Sequence, residues 1–285
     1  MSKVAIVTDS TANIPAEHTK GLPIHVLPLQ VLWEDKVYLD GIDITPTEFY
    51  KRLKTAKTMP TTSQATPAQF QEKFSSLLEQ GYDILCILIS SKLSGTMDSA
   101  IQAKEHFPNA KIELFDSLSS SMAMGFQILT VARAAAEGAS LSECRTLAEL
   151  SRSKVDVFFV VSTLEFLHRG GRIGGATAFL GTALNLKPIL SLRDGQVIAI
   201  ERVRTMGKAL DRLLDLYQKG IDGDRPIRVS ALHANAPEEA KKILERAQQL
   251  FHVSDIHDAI LAEVSPVIGT HTGPGTIGLA FLAGM

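Results

Sequence analysis

The sequence predicts an α/β protein of two domains: an N-terminal, mostly parallel sheet with helices on both faces, then a C-terminal α/β domain with a mixed sheet. Three observations carry this. Short apolar runs alternate with helical patterns through the first half, as in parallel strands joined by helical crossovers. Two extended runs in the second half are joined by Arg193-Asp194-Gly195, and Asp-Gly between alternating apolar residues signals an antiparallel hairpin. At 285 residues the chain also exceeds the usual size of one domain. The change of pattern sets the boundary near residues 155 to 165, giving units of 1–160 and 161–285.

In order, Lys3 to Val7 is a buried-type strand ending in Thr8-Asp9-Ser10-Thr11. Asn13-Ile14-Pro15 opens a short helix. Ile24 to Trp33 is a β-type run that Pro28, lacking an N–H, must bend or place at an edge. Val37 to Ile42 is extended, and Thr45-Pro46-Thr47-Glu48 starts a helix with a cap, a first-turn Pro and an early acid. In the stretch from Lys57 to Pro67, Pro60 and Pro67 hold a hydroxyl-rich loop extended, after which Thr66 and Pro67 begin a helix that stops at Gly81.

Asp83 to Ser90 is the central buried strand; Ser91 to Thr96 turns it into a helix through Ile101 and Ala103. A strand from Ala110 to Phe115 and helices from Met122 to Glu137 and Leu141 to Arg152 complete the first half. A strand from Val155 to Val161, a glycine-rich stretch and a helix-like Ala176 to Leu184 lead into the hairpin, Pro188 to Leu192 and Gln196 to Val203. Helix Gly207 to Gln218, strand Ile227 to Leu232, helix Pro237 to Leu250, strand Asp258 to Val264 and a closing helix from Thr276 finish the pattern.

Composition narrows the function. With 45% hydrophobic and 21% charged residues the chain can bury a sizeable core. A net charge of -2 without a long basic block argues against nucleic acid as a partner. Cys86 and Cys144 lack CxxC spacing and metal-ligand companions, so neither a metal nor a cofactor is expected. No run approaches the roughly 18 apolar residues that span a bilayer, and the N-terminus reaches Asp9 too early for a secretory leader, so a cytoplasmic location is expected.

Gly273-Pro274-Gly275-Thr276-Ile277-Gly278 fits GxGxxG, but only seven residues follow it, too few for a βαβ unit and its ribose-binding acid. GxxxxGK[ST], HExxH and GxSxG do not occur, and no nucleophile stands out. The turn after the central strand can cradle an anion, because free helix-start N–H groups and the dipole point beyond the strand and Ser94 adds a hydroxyl. Ser94 can equally be an ordinary N-cap. Thr8, Asp9 and Ser10 can line a site or only cap the next helix.

Taken together, Thr8-Asp9-Ser10, Thr62-Ser63-Gln64, Leu93-Ser94-Gly95-Thr96, Leu164-Glu165-Phe166-Leu167 with Gly170-Gly171-Arg172-Ile173, and His271-Thr272-Gly273-Pro274-Gly275 resemble the DegV family of fatty-acid-binding proteins, in order and over a unit of about 3–283. Ala65 departs from the family, which usually has Pro there. The resemblance implies a carrier, not an enzyme. It would hold a long-chain fatty acid such as palmitate or oleate in an apolar tunnel, carboxylate near the interdomain cleft. Thr62, Ser94 and His271 would contact that carboxylate, with Thr61, Ser63, Gly95 and Thr96 as secondary candidates and no catalytic residue. A separate ATP-dependent fatty acid kinase would phosphorylate the carboxyl group for lipid metabolism, Arg172 would help at that meeting surface, and transient contact with a membrane surface fits such a role. Phe158, Phe159, Phe166, Leu167, Phe179 and Leu180 would line the tunnel. The competing reading is a phosphoryl- or acyl-transfer enzyme with the Ser91 to Thr96 turn as its anion cradle. Thr62 as a loop former, His271 as a structural histidine and Arg172 as a support of its own turn are the bland alternatives.

Overall fold

The computed structural model describes residues 3–179 and 186–285. Strand β1 (Lys3–Asp9) is buried from Val4 onward and leads through a short 3-10 turn to α1 (Ala16–Thr19). The run around Pro28 divides as its missing N–H demands: β2 (Ile24–Leu27) pairs with β1, whereas β3 (Gln30–Trp33) leaves for another sheet and pairs with β4 (Lys36–Leu39). Helix α2 (Pro46–Leu53) begins with a complete capping box between Thr45 and Glu48. The hydroxyl loop is itself a short strand, β5 (Thr61–Ser63), paired with β3 so that Thr62 faces Val31 across the ladder. Helix α3 (Pro67–Glu79) is boxed by Thr66 and Gln69 and delivers the chain to β6 (Tyr82–Leu88).

Helix α4 (Thr96–Lys104), β7 (Ile112–Asp116), α5 (Ser121–Ala136) and α6 (Leu141–Lys154) follow. Strands β2, β1, β6 and β7, in that order, form an all-parallel sheet, while β4, β3 and β5 form a small antiparallel one.

The remaining strands make one six-stranded mixed sheet, β10-β9-β8-β13-β11-β12. Its members are β8 (Val155–Val160), β9 (Lys187–Arg193), β10 (Gln196–Val203), β11 (Ile227–His233), β12 (Ile256–Glu263) and β13 (Ile277–Ala283). The β9–β10 hairpin turns at Asp194 and Gly195, both with positive φ, as a tight two-residue turn requires. Between strands lie α7 (Glu165–Arg169), α8 (Met206–Ile221), α9 (Pro237–Gln249) and α10 (Pro266–Thr272). Strand membership passes from the parallel to the mixed sheet between Asp116 and Val155.

Three expectations need correction. The expected closing helix from Thr276 is β13, which lies between β8 and β11 and pairs antiparallel with both. Ile277 to Ala283 is buried on both faces, so it carries no polar alternation and resembles an apolar helix in sequence. The glycine-rich stretch contains α7, and α10 precedes the terminal glycines; neither was expected. Of the helix-like Ala176 to Leu184, the part up to Phe179 belongs to a 3-10 segment, Gly174–Phe179, and the part from 180 onward lies outside the described residues.

The main core is continuous across the sheets. Buried Val7, Cys86 and Phe126 belong to the same apolar cluster as Val157, Leu232 and Leu282. At its edge Trp33, Phe49 and Tyr50 pack ring edge against ring face at 5.4 and 5.1 Å. Arg133 of α5 grips Asp258 of β12 through two hydrogen bonds of 2.8 and 3.1 Å, tying the helix to the mixed sheet. Among the described residues no helix is long and apolar enough to cross a membrane.

Candidate ligand-binding site

The edge where the parallel sheet meets the mixed sheet holds a cavity of about 100 Å³ counted by positions of a water's centre, room for several waters. Three short segments bring the expected head-group residues to it. Strand β5 contributes Thr62 and Ser63, with Gln64 beyond. The turn after β6 contributes Leu93 and Ser94; it is wound tightly, with the Leu93 and Ser94 N–H groups both donating to the Ser90 carbonyl at 2.9 and 3.1 Å. Helix α10 contributes His271 and Thr272 from its last turn, just before Gly273 breaks it at φ +76°.

Helix α10 is anchored from the other sheet system. Its Val267 N–H donates to Asp40 Oδ1 at 3.2 Å, and Tyr50 OH donates to the Val264 carbonyl at 3.1 Å just ahead of it. Asp40 is almost fully buried, which raises its pKa to about 6 against the lowering effect of hydrogen bonds from Ser10 and Val267. Nothing in local sequence marked Asp40, because its partners lie 30 and 227 residues away.

The expected head-group residues meet. Thr62 Oγ1 and His271 Nε2 are 2.8 Å apart. Ser94 lines the same cavity, and its hydroxyl accepts the Thr96 N–H at 3.3 Å while sharing a 2.8 Å bond with Thr96 Oγ1. Ser94 therefore both supports the start of α4 and faces the cavity. Gln64 packs against Gly95, where an added Cβ would stand 2.9 Å from its Nε2, so β5 and the Ser94 turn are in direct contact. Of the secondary candidates, Ser63 is on the wall, Thr96 is buried beside Ser94, and Thr61 is exposed and off the wall.

Burial, reinforced by the Arg172 charge, pushes the His271 pKa down to about 4, so the ring is neutral at pH 7. Its Nδ1 has no partner among the described residues and abuts Gly170, where any Cβ would lie 2.1 Å from it. Gly170 is needed here for space and not for conformation, its φ being -74°. Arg172 lines the cavity and donates to the Leu93 carbonyl at 3.0 Å and the Gly170 carbonyl at 2.6 Å. It thus bolts the glycine-rich segment to the Ser94 turn.

Thr8, Asp9 and Ser10 stand apart from the cavity wall. Asp9 is fully buried and its pKa is raised by that burial; its carboxylate accepts the Ile89 N–H at 2.8 Å and the Thr11 N–H and hydroxyl at 3.0 and 2.5 Å. Ser10 donates to Asp40 at 2.6 Å. Asp9 and Ser10 thus cap and brace strand ends, while the buried Thr8 hydroxyl has no hydrogen-bond partner among the described residues.

Most of the rest of the wall is apolar, including Ile89, Val157, Phe159, Leu192, Leu232 and Val264, with Ser120, Ser121 and Thr276 as the polar exceptions. Of the six expected tunnel residues, Phe159 and Leu167 are on it. Phe158 packs instead against Phe281, Phe166 lies on Gly273, and Phe179 sits under the Arg202 guanidinium; Leu180 lies outside the described residues. β-strand alternation explains the first of these, since neighbours along β8 face opposite sides. No group of three His, Cys, Asp or Glu among the described residues could hold a metal ion. An apolar chamber with neutral donors and one guanidinium at one set of loops suits an amphiphile with an anionic head.

A family model described as an uncharacterised protein of the DegV family matches residues 3–284. A DegV domain-containing protein of Listeria innocua is 36% identical, the match covering 98% of each chain. A DegV family protein from Thermus thermophilus, described for its fatty acid binding, superposes with a TM-score of 0.92 at 36% identity, over 99% of each chain. A stearic acid-binding protein from Eubacterium ventriosum superposes at 0.89 with 26% identity, over 100% of this chain and 99% of that one. Fold and near-full-length sequence similarity lead to one assignment: this chain belongs to the DegV family.

Proposed function

We propose that this protein binds a long-chain fatty acid such as palmitate or oleate, head group among Thr62, Ser94 and His271 and acyl chain along the apolar wall, and acts as a carrier. The observation that carries the reading is that Thr62, Ser94 and His271 line one largely apolar cavity, with Thr62 and His271 in hydrogen-bond contact. Relatives described as fatty acid binding support it.

The energetics are adequate. About 14 buried methylenes at roughly 0.8 kcal/mol each supply on the order of 10 kcal/mol, and association costs several, which leaves a submicromolar complex. The carboxylate must be hydrogen-bonded or the gain is largely lost. Hydroxyl and helix-start N–H donors do this without a bidentate Arg clamp, and Arg172 is already engaged by two carbonyls. A carboxyl held this way stays available for transfer to it. We read this as presentation to a partner ATP-dependent fatty acid kinase that forms the acyl phosphate, with Arg172 at the meeting surface and no catalysis by this chain alone.

Mass spectrometry of an organic extract of gently purified protein tests the carrier reading. A stoichiometric long-chain fatty acid is expected, and binding of added palmitate or oleate by protein stripped of lipid. If neither is found, the reading fails. Acyl phosphate formed from ATP only when a kinase is added would support the presentation step; turnover by this protein alone would refute it.

A further inference from the structure

We propose that the cavity contains a second polar subsite, at the N-terminus of α5, that takes a hydroxyl group borne on the acyl chain, so that the ligand class is a hydroxylated fatty acid; this rests on the fatty-acid reading above. Ser120 and Ser121 both line the cavity, interrupting its apolar wall on an element that carries none of the head-group residues. Ser120 is the N-cap residue of this 16-residue helix, yet its side chain makes no capping bond, and no other side chain caps that end. It is 9% exposed and makes no side-chain hydrogen bond with another described residue.

The polar groups around it are already engaged. Ser121 Oγ donates to Asn13 Oδ1 at 3.0 Å, the Ser119 carbonyl accepts the Ser90 N–H at 2.9 Å, and the Ser117 carbonyl accepts from Gln127 at 3.2 Å. Ser120 is left as an open donor and acceptor beside a buried helix start, whose first residues Ser121, Met122 and Ala123 are all buried. The first N–H groups of a helix lack intrahelical acceptors, and a buried end needs an oxygen from elsewhere. An alkyl hydroxyl answers both needs: its lone pair accepts a first-turn N–H while its O–H donates to Ser120 Oγ. A neutral oxygen suits the place better than a second carboxylate, because the first turn of α5 holds no cation and Arg172 is tied to Leu93 and Gly170.

Calorimetric titration of the full-length, lipid-stripped protein with stearate and with monohydroxystearates differing in hydroxyl position tests this. At least one isomer should bind as tightly as stearate or more tightly, and Ser120→Ala should lower that isomer's affinity relative to stearate about tenfold. The proposal is overturned if every isomer binds the wild-type protein about tenfold or more weakly than stearate, the penalty for a hydroxyl against a dry wall. It is equally overturned if the variant leaves the ratio unchanged. The wild-type series decides without any variant should Ser120→Ala not fold. Failure of stearate and all isomers alike would overturn the fatty-acid reading together with this one, a pattern distinct from rejection of the hydroxylated chains alone.

Discussion

Thr62 Oγ1 lies 2.8 Å from His271 Nε2, although 209 residues separate the two in the chain. Thr62 is placed by the pairing of β5 with β3, and His271 by α10, whose start is held by Asp40. With the ring proton on Nε2, the histidine donates to Thr62 Oγ1 and leaves the threonine O–H to donate into the cavity. In that tautomer the neutral ring sets the direction of the hydroxyl without contributing charge.

A Thr62→Val, Ser94→Ala double variant should bind palmitate about tenfold or more weakly, because each lost hydroxyl removes a charge-assisted hydrogen bond. Methyl palmitate, which has no anionic head, should be affected much less. Equal losses for acid and ester in parallel titrations would refute the head-group assignment.

Gly170→Ala should weaken palmitate binding and destabilise the fold by about 1–3 kcal/mol, as overpacking does. The new methyl would meet His271 Nδ1 at 2.1 Å and push the ring off Thr62. Chemical denaturation and titration together check this; wild-type behaviour in both would show that the ring relaxes freely.

His271 and Asp40 predict opposite pH trends. The histidine's folded pKa, about 4, is below the usual value, so the unfolded chain takes up a proton first and its contribution to stability falls as pH drops from about 6.5 toward 4. Asp40's folded pKa, about 6, is above the usual carboxylate value, so the folded state holds the proton longer and its contribution falls as pH rises from about 4 to 6. Relative to wild type, His271→Gln should therefore gain stability on acidification over this range and Asp40→Asn should gain on moving to neutral pH. An imidazole resonance of His271 titrating near 6.5 would contradict the first trend.

Gly195→Ala should lower the thermal unfolding midpoint. Its φ is +79°, and a Cβ there would lie 2.3 Å from Ser90 Oγ, which now donates to the Gly195 carbonyl at 2.8 Å. Since this contact seats the β9–β10 hairpin on the end of β6, palmitate affinity should fall as well. An unchanged melting curve would show the hairpin tip to be loosely held.

Much of this was legible in the sequence. The proline-bounded hydroxyl loop and the Ser94 turn were legible from local chemistry, which fixes caps, turns and strand ends, whereas Thr62, Ser94 and His271 as head-group candidates came from the resemblance to the family. The boundaries of α2, α3 and α6 follow from their capping boxes. What escaped depends on tertiary context. Strand β13 has no polar face to reveal its period, α10 is too short to show one, and Asp40 reads as an ordinary loop acid until Ser10 and Val267 reach it. Gly170 matters through one histidine a hundred residues downstream, a proximity that spacing cannot disclose.

The central position of β13 also bears on biosynthesis. Until residues 277 to 283 leave the ribosome, β8 with its hairpin and β11 with β12 are two separate pieces, each with a bare strand edge toward the other. Closing that gap requires pairing Ile277 with Val160, more than a hundred residues back, the kind of distant contact that slows folding. Competence to take up a lipid should consequently switch on late, after the wall that carries Thr276 and Gly278 has been zipped into place.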